Sequence, residues 1–226
     1  MQSAAKKQKI APKKRVMSVD DFHMSDVHLQ PITRTAKCNL VSLSYAFDKK
    51  SPVLIQLSGG GKIPLSFGID DKDIEGRRKV NIALQIDSES DHEQLVRIRT
   101  ELIATASTNW PIWYPDVKPP SDEMLETLCN SFVSIRKKKK NGEDHWPGIS
   151  KAVIEPDDCQ NGRCKIVDRE SNEVVPFCNL PGMVWHKAII ELRYVYIQAT
   201  RSYGITKKLR YLSCSEGEEY GEVVPI

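Results

Sequence analysis

Two β-rich runs near the C-terminus, residues 186–198 (HKAIIELRYVYIQ) and 203–213 (YGITKKLRYLS), constrain the fold of this chain more than any other feature. Both are rich in β-branched and aromatic residues. Only a short polar stretch before Gly204 separates them, so they predict an antiparallel hairpin. Side chains alternate across a strand. Strict alternation puts Ile190, Leu192, Tyr194 and Tyr196 on one face of the first run, and Glu191, Arg193, Val195 and Ile197 on the other. In the second run Tyr203, Ile205, Lys207, Leu209 and Tyr211 share a face, opposite Gly204, Thr206, Lys208 and Arg210. Aromatic rings interleaved with cations on a sheet suit the stacking of bases and the neutralising of phosphates. An ordinary packed hairpin with structural tyrosines fits the same pattern.

The rest of the body is read outward from this hairpin. Asn39–Phe47 alternates, Pro52–Leu57 and Ile63–Ile69 flank Gly59-Gly60-Gly61, and Lys79–Ile86 is a fourth apolar run. These predict short antiparallel strands, with the glycines as a hairpin turn. Gly61-Lys62 is followed by Ile63 and a strand, so it lacks the Lys-Ser/Thr and the helix of a phosphate-binding loop. Ser90 or Asp91 is placed to cap a helix whose stripe is Leu95, Ile98, Leu102 and Thr105 or Ala106. A Pro- and aromatic-rich loop, NWPIWYPDVKPPSDE, precedes a second helix over about 121–133. A strand at 149–155 and a turn with a hairpin over 156–182 lead to the final pair.

Charge is unevenly placed. Net charge is only +3, but the first 15 residues carry Lys6, Lys7, Lys9, Lys13, Lys14 and Arg15 and no acid. The end carries Glu216, Glu218, Glu219 and Glu222 and no base. Opposite tails can mask a basic face behind a modest total. Residues 1–37 predict a basic disordered arm, 38–213 the folded domain, and 214–226 an acidic tail. Lys13, Lys14 and Arg15 also form a candidate import signal. Within the body, Arg136 is followed by Lys137, Lys138, Lys139 and Lys140, flanked by Trp110, Trp113 and Tyr114 on one side and His145 and Trp146 on the other. Adjacent cations with nearby indoles fit a single-strand groove. A solvated loop beside buried tryptophans fits as well.

The chain shows no apolar leader and no run long enough to span a membrane, which predicts an intracellular protein with reduced thiols. Cys159, Cys164 and Cys178 are spaced without a CxxC pair, a weak pattern for zinc. No nucleophile elbow or HExxH occurs, and Asp70, Asp71 and Asp73 sit in a loop. The expectation is therefore a non-enzyme with no cofactor and no metal.

One family resemblance covers about 38–222. The helix DHEQLVRIRTELI, the segment NWPIWYP, the stretch HWPGISKAVI and the closing ELRYVYIQATRSYGITKKLRYLSC with its acidic tail follow in that order. This order resembles the single-stranded DNA-binding proteins of nucleocytoplasmic large DNA viruses, related to podovirus-type phage proteins. The resemblance implies a β-rich α+β fold, an OB-fold-like five-stranded barrel with inserted helices and disordered termini. It implies sequence-independent binding of single-stranded DNA in replication, recombination or repair. It also implies an acidic tail that competes with DNA and contacts a replication polymerase or helicase-primase. Phage tails of this type usually end in an aromatic residue, whereas this one ends Val224-Pro225-Ile226. The site residues expected are Trp110, Trp113, Tyr114, Lys137, Lys138, Lys139, Lys140, Trp146, Lys151, Arg193, Tyr194, Tyr196, Lys208 and Arg210. The expected place of action is the host nucleus or a viral replication site. Two rivals stand beside this reading: a β-rich viral structural or interaction protein without DNA affinity, and a metal-dependent nucleic-acid enzyme.

Overall fold

The computed structural model of the chain describes residues 16–64, 79–130, 132–133 and 148–217. The long hairpin organises it. Strand β10 (Val184–Gln198) pairs antiparallel with β11 (Tyr203–Ser215), close to the predicted bounds. On the other edge of β10, its first half pairs with β5 (Val53–Leu57) and its second half with β4 (Cys38–Tyr45). Beyond β11 the sheet continues through β8 (Gly148–Ile154) to β7 (Val80–Ile86), and β9 (Lys165–Asp168) runs parallel to the end of β11. Short strands β1 (Val16–Ser18), β2 (Val27–Leu29), β3 (Thr33–Arg34) and β6 (Gly61–Lys62) complete the edges.

The result is a mixed sheet of eleven strands among the described residues, and their pairings do not close it into a ring. The expected five-stranded barrel is thus replaced by a larger, open sheet. One reason lies in residues 16–34, assigned by composition to a disordered arm. They form β1, β2, β3 and a short 3-10 turn, and they bury Val19 and Phe22 in the core. Their apolar residues are isolated rather than periodic, so a pattern search passes over them. The glycines also act differently from a hairpin turn. β5 and β6 pair with the same strand, β10, in the same direction: Leu57 faces Ala188 and Gly61 faces Trp185. Gly60 and Gly61 therefore interrupt an edge without reversing it. Gly61 has φ +149° and a Cβ there would meet the Gln85 carbonyl at 1.9 Å, so only glycine fits.

Helix α1 (Glu89–Trp113) packs across the sheet through Leu95, Ile98, Leu102 and Ala106, all fully buried as the stripe predicts. Ser88, not Ser90 or Asp91, is its cap, and accepts a hydrogen bond from Asp91 N. Asp91 is buried instead and accepts from Ser58 N and Gly59 N, pinning the helix to the β5–β6 turn. Burial, only partly offset by those bonds, raises its pKa. The helix continues through Pro111, beyond its predicted end. Pro111 removes one backbone donor in the last turn, where the helix is ending anyway. A second helix, α2 (Asp122–Leu128), is capped by Ser121, and α3 (Pro156–Gln160) covers one face of the terminal hairpin.

Candidate nucleic-acid interface

Of three register shifts between β10 and β11, at His186, Arg210 and Arg193, the last two decide which side chains reach this surface. Along β10, Leu192 faces Lys207 and Tyr194 faces Thr206, leaving Arg193 without a partner position; along β11, Arg210 is skipped in the same way. Each extra residue inverts the alternation beyond it. Ala188, Ile190 and Leu192 point into the core before the Arg193 bulge, and Val195 and Ile197 do so after it. Tyr194 and Tyr196 are therefore turned out onto the opposite face from Ile190 and Leu192. This corrects the strict alternation, which grouped all four.

The face they join is open. Tyr194 lies between Ser42 on β4 and Thr206 on β11, and Tyr196 lies between Leu40 and Gly204. Ser42, Thr206 and Gly204 are small neighbours, while Leu40 and the Asn130 side chain flank Tyr196. A Cβ on Gly204 would fall 2.7 Å from the Tyr196 hydroxyl, so the glycine makes room for that ring. A concavity of about 560 Å³ runs over this surface, lined among others by Lys37, Leu40, Tyr194, Tyr196 and Thr206. Arg193 places its guanidinium 5.8 Å from the centre of the Tyr194 ring. Exposed Arg34, Lys37 and Arg201 lie around the same end of the sheet, in β3, before β4 and in the β10–β11 turn.

Lys208 and Arg210, expected at the interface, are instead locked in an ion cluster. Lys208 is 3% exposed and pairs with Glu155 and, at 2.6 Å, with Asp158. Arg210 pairs with Asp158 and Glu191. Arg193 reaches Glu155 at 2.9 Å, and Arg163 reaches Asp158 at 3.4 Å. Glu191 is on β10, while Glu155 and Asp158 come from the start of α3, which lies over this face and was read from sequence only as a turn. Burial alone would raise the pKa of Glu155 and of Asp158. The hydrogen bond and charge of Lys208, with the neighbouring arginines, outweigh it and hold both carboxyls below their usual range. Cations so paired are not free to meet phosphates. On the core face, Lys207 donates to the Phe132 carbonyl at 2.5 Å and to Ser150 Oγ at 2.7 Å. Burial brings its pKa down to about 7.

The aromatic segment is also core rather than interface. Trp110 is fully buried and Trp113 nearly so, both against Tyr203. Tyr114 is half-buried on Trp110 and donates to the Gln198 carbonyl at 2.8 Å. Helix α1 extends far enough to carry all but Tyr114, which caps it. Lys151 is exposed on β8, facing Ala83 of β7, away from the tyrosine pair in strand order. Lys13, Lys14, Arg15, Lys137, Lys138, Lys139, Lys140, Trp146, Glu218, Glu219 and Glu222 lie outside the described residues; Glu216 is exposed just after β11. Sequence reasoning passed over Leu40, Ser42 and Thr206, whose only signal was their place on a strand beside a tyrosine. It also passed over Phe47, which is 64% exposed and stacked on Tyr45 in a loop with Lys49 and Lys50. An aromatic beside Asp-Lys-Lys in a turn was the available clue.

Among the described residues, no group of three or more His, Cys, Asp or Glu could hold a metal ion. Cys159 and Cys164 share a hydrogen bond, which together with burial pushes the Cys164 thiol up, while Cys178 is exposed and apart. No helix among these residues is long and apolar enough to cross a membrane.

No protein-family model and no curated protein matches the chain. Among solved structures it is similar to the single-stranded DNA-binding protein from bacteriophage Enc34 in complex with ssDNA, at 14% identity and TM-score 0.42, covering 85% of this chain and 98% of that one. A C-terminal truncation of the same phage protein aligns at 14% identity and TM-score 0.42 over 86% and 97% of the two chains.

Proposed function

We propose that the chain binds single-stranded DNA, without catalysis and without sequence preference, across the outer face of β4, β10 and β11. The observation that supports this most is the Tyr194–Tyr196 pair on one sheet face, with Ser42, Thr206 and Gly204 as small neighbours and cations at its rim. Residues two apart on a strand are about 6.8 Å apart, twice the roughly 3.4 Å per nucleotide along a duplex strand. Bases laid on the two rings are then separated from one another. A single strand can adopt that spacing, whereas a duplex would first have to unstack and unpair. Stacking supplies about 1–3 kcal/mol per base, and phosphates over the rim cations release counterions.

The broader role inferred is in viral DNA replication, recombination or repair, as for the large-virus family that the sequence resembles. An OB-fold-like core within the larger sheet belongs to the same reading. So do a folded region that starts at Val16 rather than at residue 38 and lies between two charged tails, contact of the acidic tail with a polymerase or helicase-primase, and action in the host nucleus or a viral replication site. The burial of Trp110 and Trp113 and the pairing of Lys208 and Arg210 favour the second reading, an interaction protein without DNA affinity. One titration separates the two. Anisotropy of a labelled oligothymidylate, and of a duplex of equal length, is measured at two salt concentrations. Strong, salt-sensitive binding of the single strand and weak binding of the duplex is expected. Equal affinity for both, or none for either, overturns the proposal.

A further inference from the structure

At the far end of the hairpin from the tyrosines lies a groove of about 530 Å³ whose lining combines apolar and acidic groups. Val174, which is 78% exposed, Val175, Pro176 and Met183 give it an apolar floor; Asp168, Glu173 and Glu216 stand on its rim. None of these three carboxylates is in an ion pair with a described residue. On this side the Arg169 guanidinium lies 3.4 Å from His186 Nδ1, and Lys62 stands opposite Val184, next to Met183. The groove thus calls for a segment with a short apolar centre between cations.

The chain contains one. Lys6-Lys7 and Lys9 precede Ile10-Ala11-Pro12, and Lys13-Lys14-Arg15 follow, with no acid among the first 15 residues. The direction of β1 bears on which copy this segment meets. β1 runs parallel to β5, with Val16 opposite Leu54, and β5 runs antiparallel to β10, with Leu54 opposite Glu191. Read back from Ser18 to Val16, β1 therefore points away from Met183 and the groove. Returning within one molecule would require a reversal, then about 26 Å back along the eight residues from Glu191 to Met183. Val16, where the arm joins the sheet, is level with Glu191 in the middle of β10, and β1 points from there away from the groove, a direction that favours a head-to-tail contact.

We propose that the basic arm of one copy docks in the acidic groove of the next, linking molecules in a row. This does not depend on the DNA reading, although copies lined up along a strand would present arm to groove at high local concentration. The test uses the full-length protein without DNA at low ionic strength. Equal amounts of unlabelled and 15N-labelled protein are mixed and treated with a carbodiimide, which joins a lysine amine directly to a touching carboxylate. Mass spectrometry then reads the isotope on each side of the link. Links between Lys6–Lys14 of one isotope and Glu173 or Glu216 of the other are expected. Exposed ion pairs are individually weak, so reversing two of them should cut the mixed-isotope yield about tenfold. The double variant Glu173→Lys with Glu216→Lys tests this through links to Asp168. Reversing Lys13, Lys14 and Arg15 to Glu in the partner population should restore association, read as co-sedimentation. Links confined to one isotope, meaning an arm folded onto its own groove, overturn the proposal, as does the absence of arm-to-groove links.

Discussion

Tyr194 and Tyr196 are the residues on which the binding reading turns, and each can be removed without opening the core, since both are only partly buried. Replacing either by alanine is expected to weaken binding of a short oligothymidylate about tenfold, in line with about 1–3 kcal/mol per stacked base. The melting temperature should move little. Trp110→Ala should do the reverse: a fully buried ring lost from the core costs about 3–5 kcal/mol, with any loss of binding following from unfolding. Lys207 gives a third test through pH. Its amine falls from the ordinary 10.5 to about 7 on folding. Between those values the unfolded chain binds more protons than the folded one, so stability contributed by this site rises as pH climbs from about 7 towards 10. Below about 7 both states hold the proton, and the site is at its least favourable. Urea midpoints between pH 6.5 and 9.5 should therefore climb more steeply in the native protein than in Lys207→Met. Parallel profiles would mean that Lys207 stays charged when buried.

At the scale of elements, the hairpin was legible and its faces were not. The run of β-branched and aromatic residues marked both strands, because periodicity and composition are local properties. The bulges at Arg193 and Arg210 are not local. They depend on β10 changing partner from β5 to β4, and on Glu155 and Asp158 arriving from α3 to neutralise the bulged arginines and Lys208. A two-residue alternation read from sequence carries no information about such a partner change. The helix stripe Leu95, Ile98, Leu102 and Ala106 was legible for the opposite reason: one face meeting one core is a local pattern. The bulge can be tested directly. Arg193→Ala keeps the residue count and loses one half-exposed ion pair, a cost of about 1 kcal/mol or less. Deleting Arg193 removes the extra residue and would drive Tyr194 and Tyr196 inward while turning Val195 and Ile197 out. Thermal melts by circular dichroism should show the alanine variant folded and the deletion variant unfolded or aggregated. A deletion variant that melts like the native protein would mean that the bulge does not set the face.

For the whole molecule, the open question is which cations meet the phosphates, and the salt slope answers it. The sequence pointed to Lys208 and Arg210 because they sit beside tyrosines in a strand. The structure instead gives Lys208 the partners Glu155 and Asp158 from the start of α3, and Arg210 the partners Asp158 and, from the sheet, Glu191. A cation already neutralised by a buried carboxylate releases no counterion from DNA when a phosphate arrives. Those still exposed around the tyrosine face are Arg34, Lys37 and Arg201, with Lys49 and Lys50 in the β4–β5 loop. For single strands log K falls with log salt at about 0.7 per phosphate neutralised. Lys37→Gln and Arg201→Gln should therefore each flatten the slope by about 0.7. Lys208→Gln should leave the slope unchanged and lower stability by less than the roughly 3–5 kcal/mol of a fully stranded buried pair, because Arg193, Arg210 and Arg163 still face Glu155 and Asp158. The measurement is a series of anisotropy titrations from low to moderate salt for the native protein and the three variants, each paired with a melt. If Lys208→Gln flattens the slope while the Lys37 and Arg201 variants do not, the strand runs over the ion cluster and the tyrosine face is not its path.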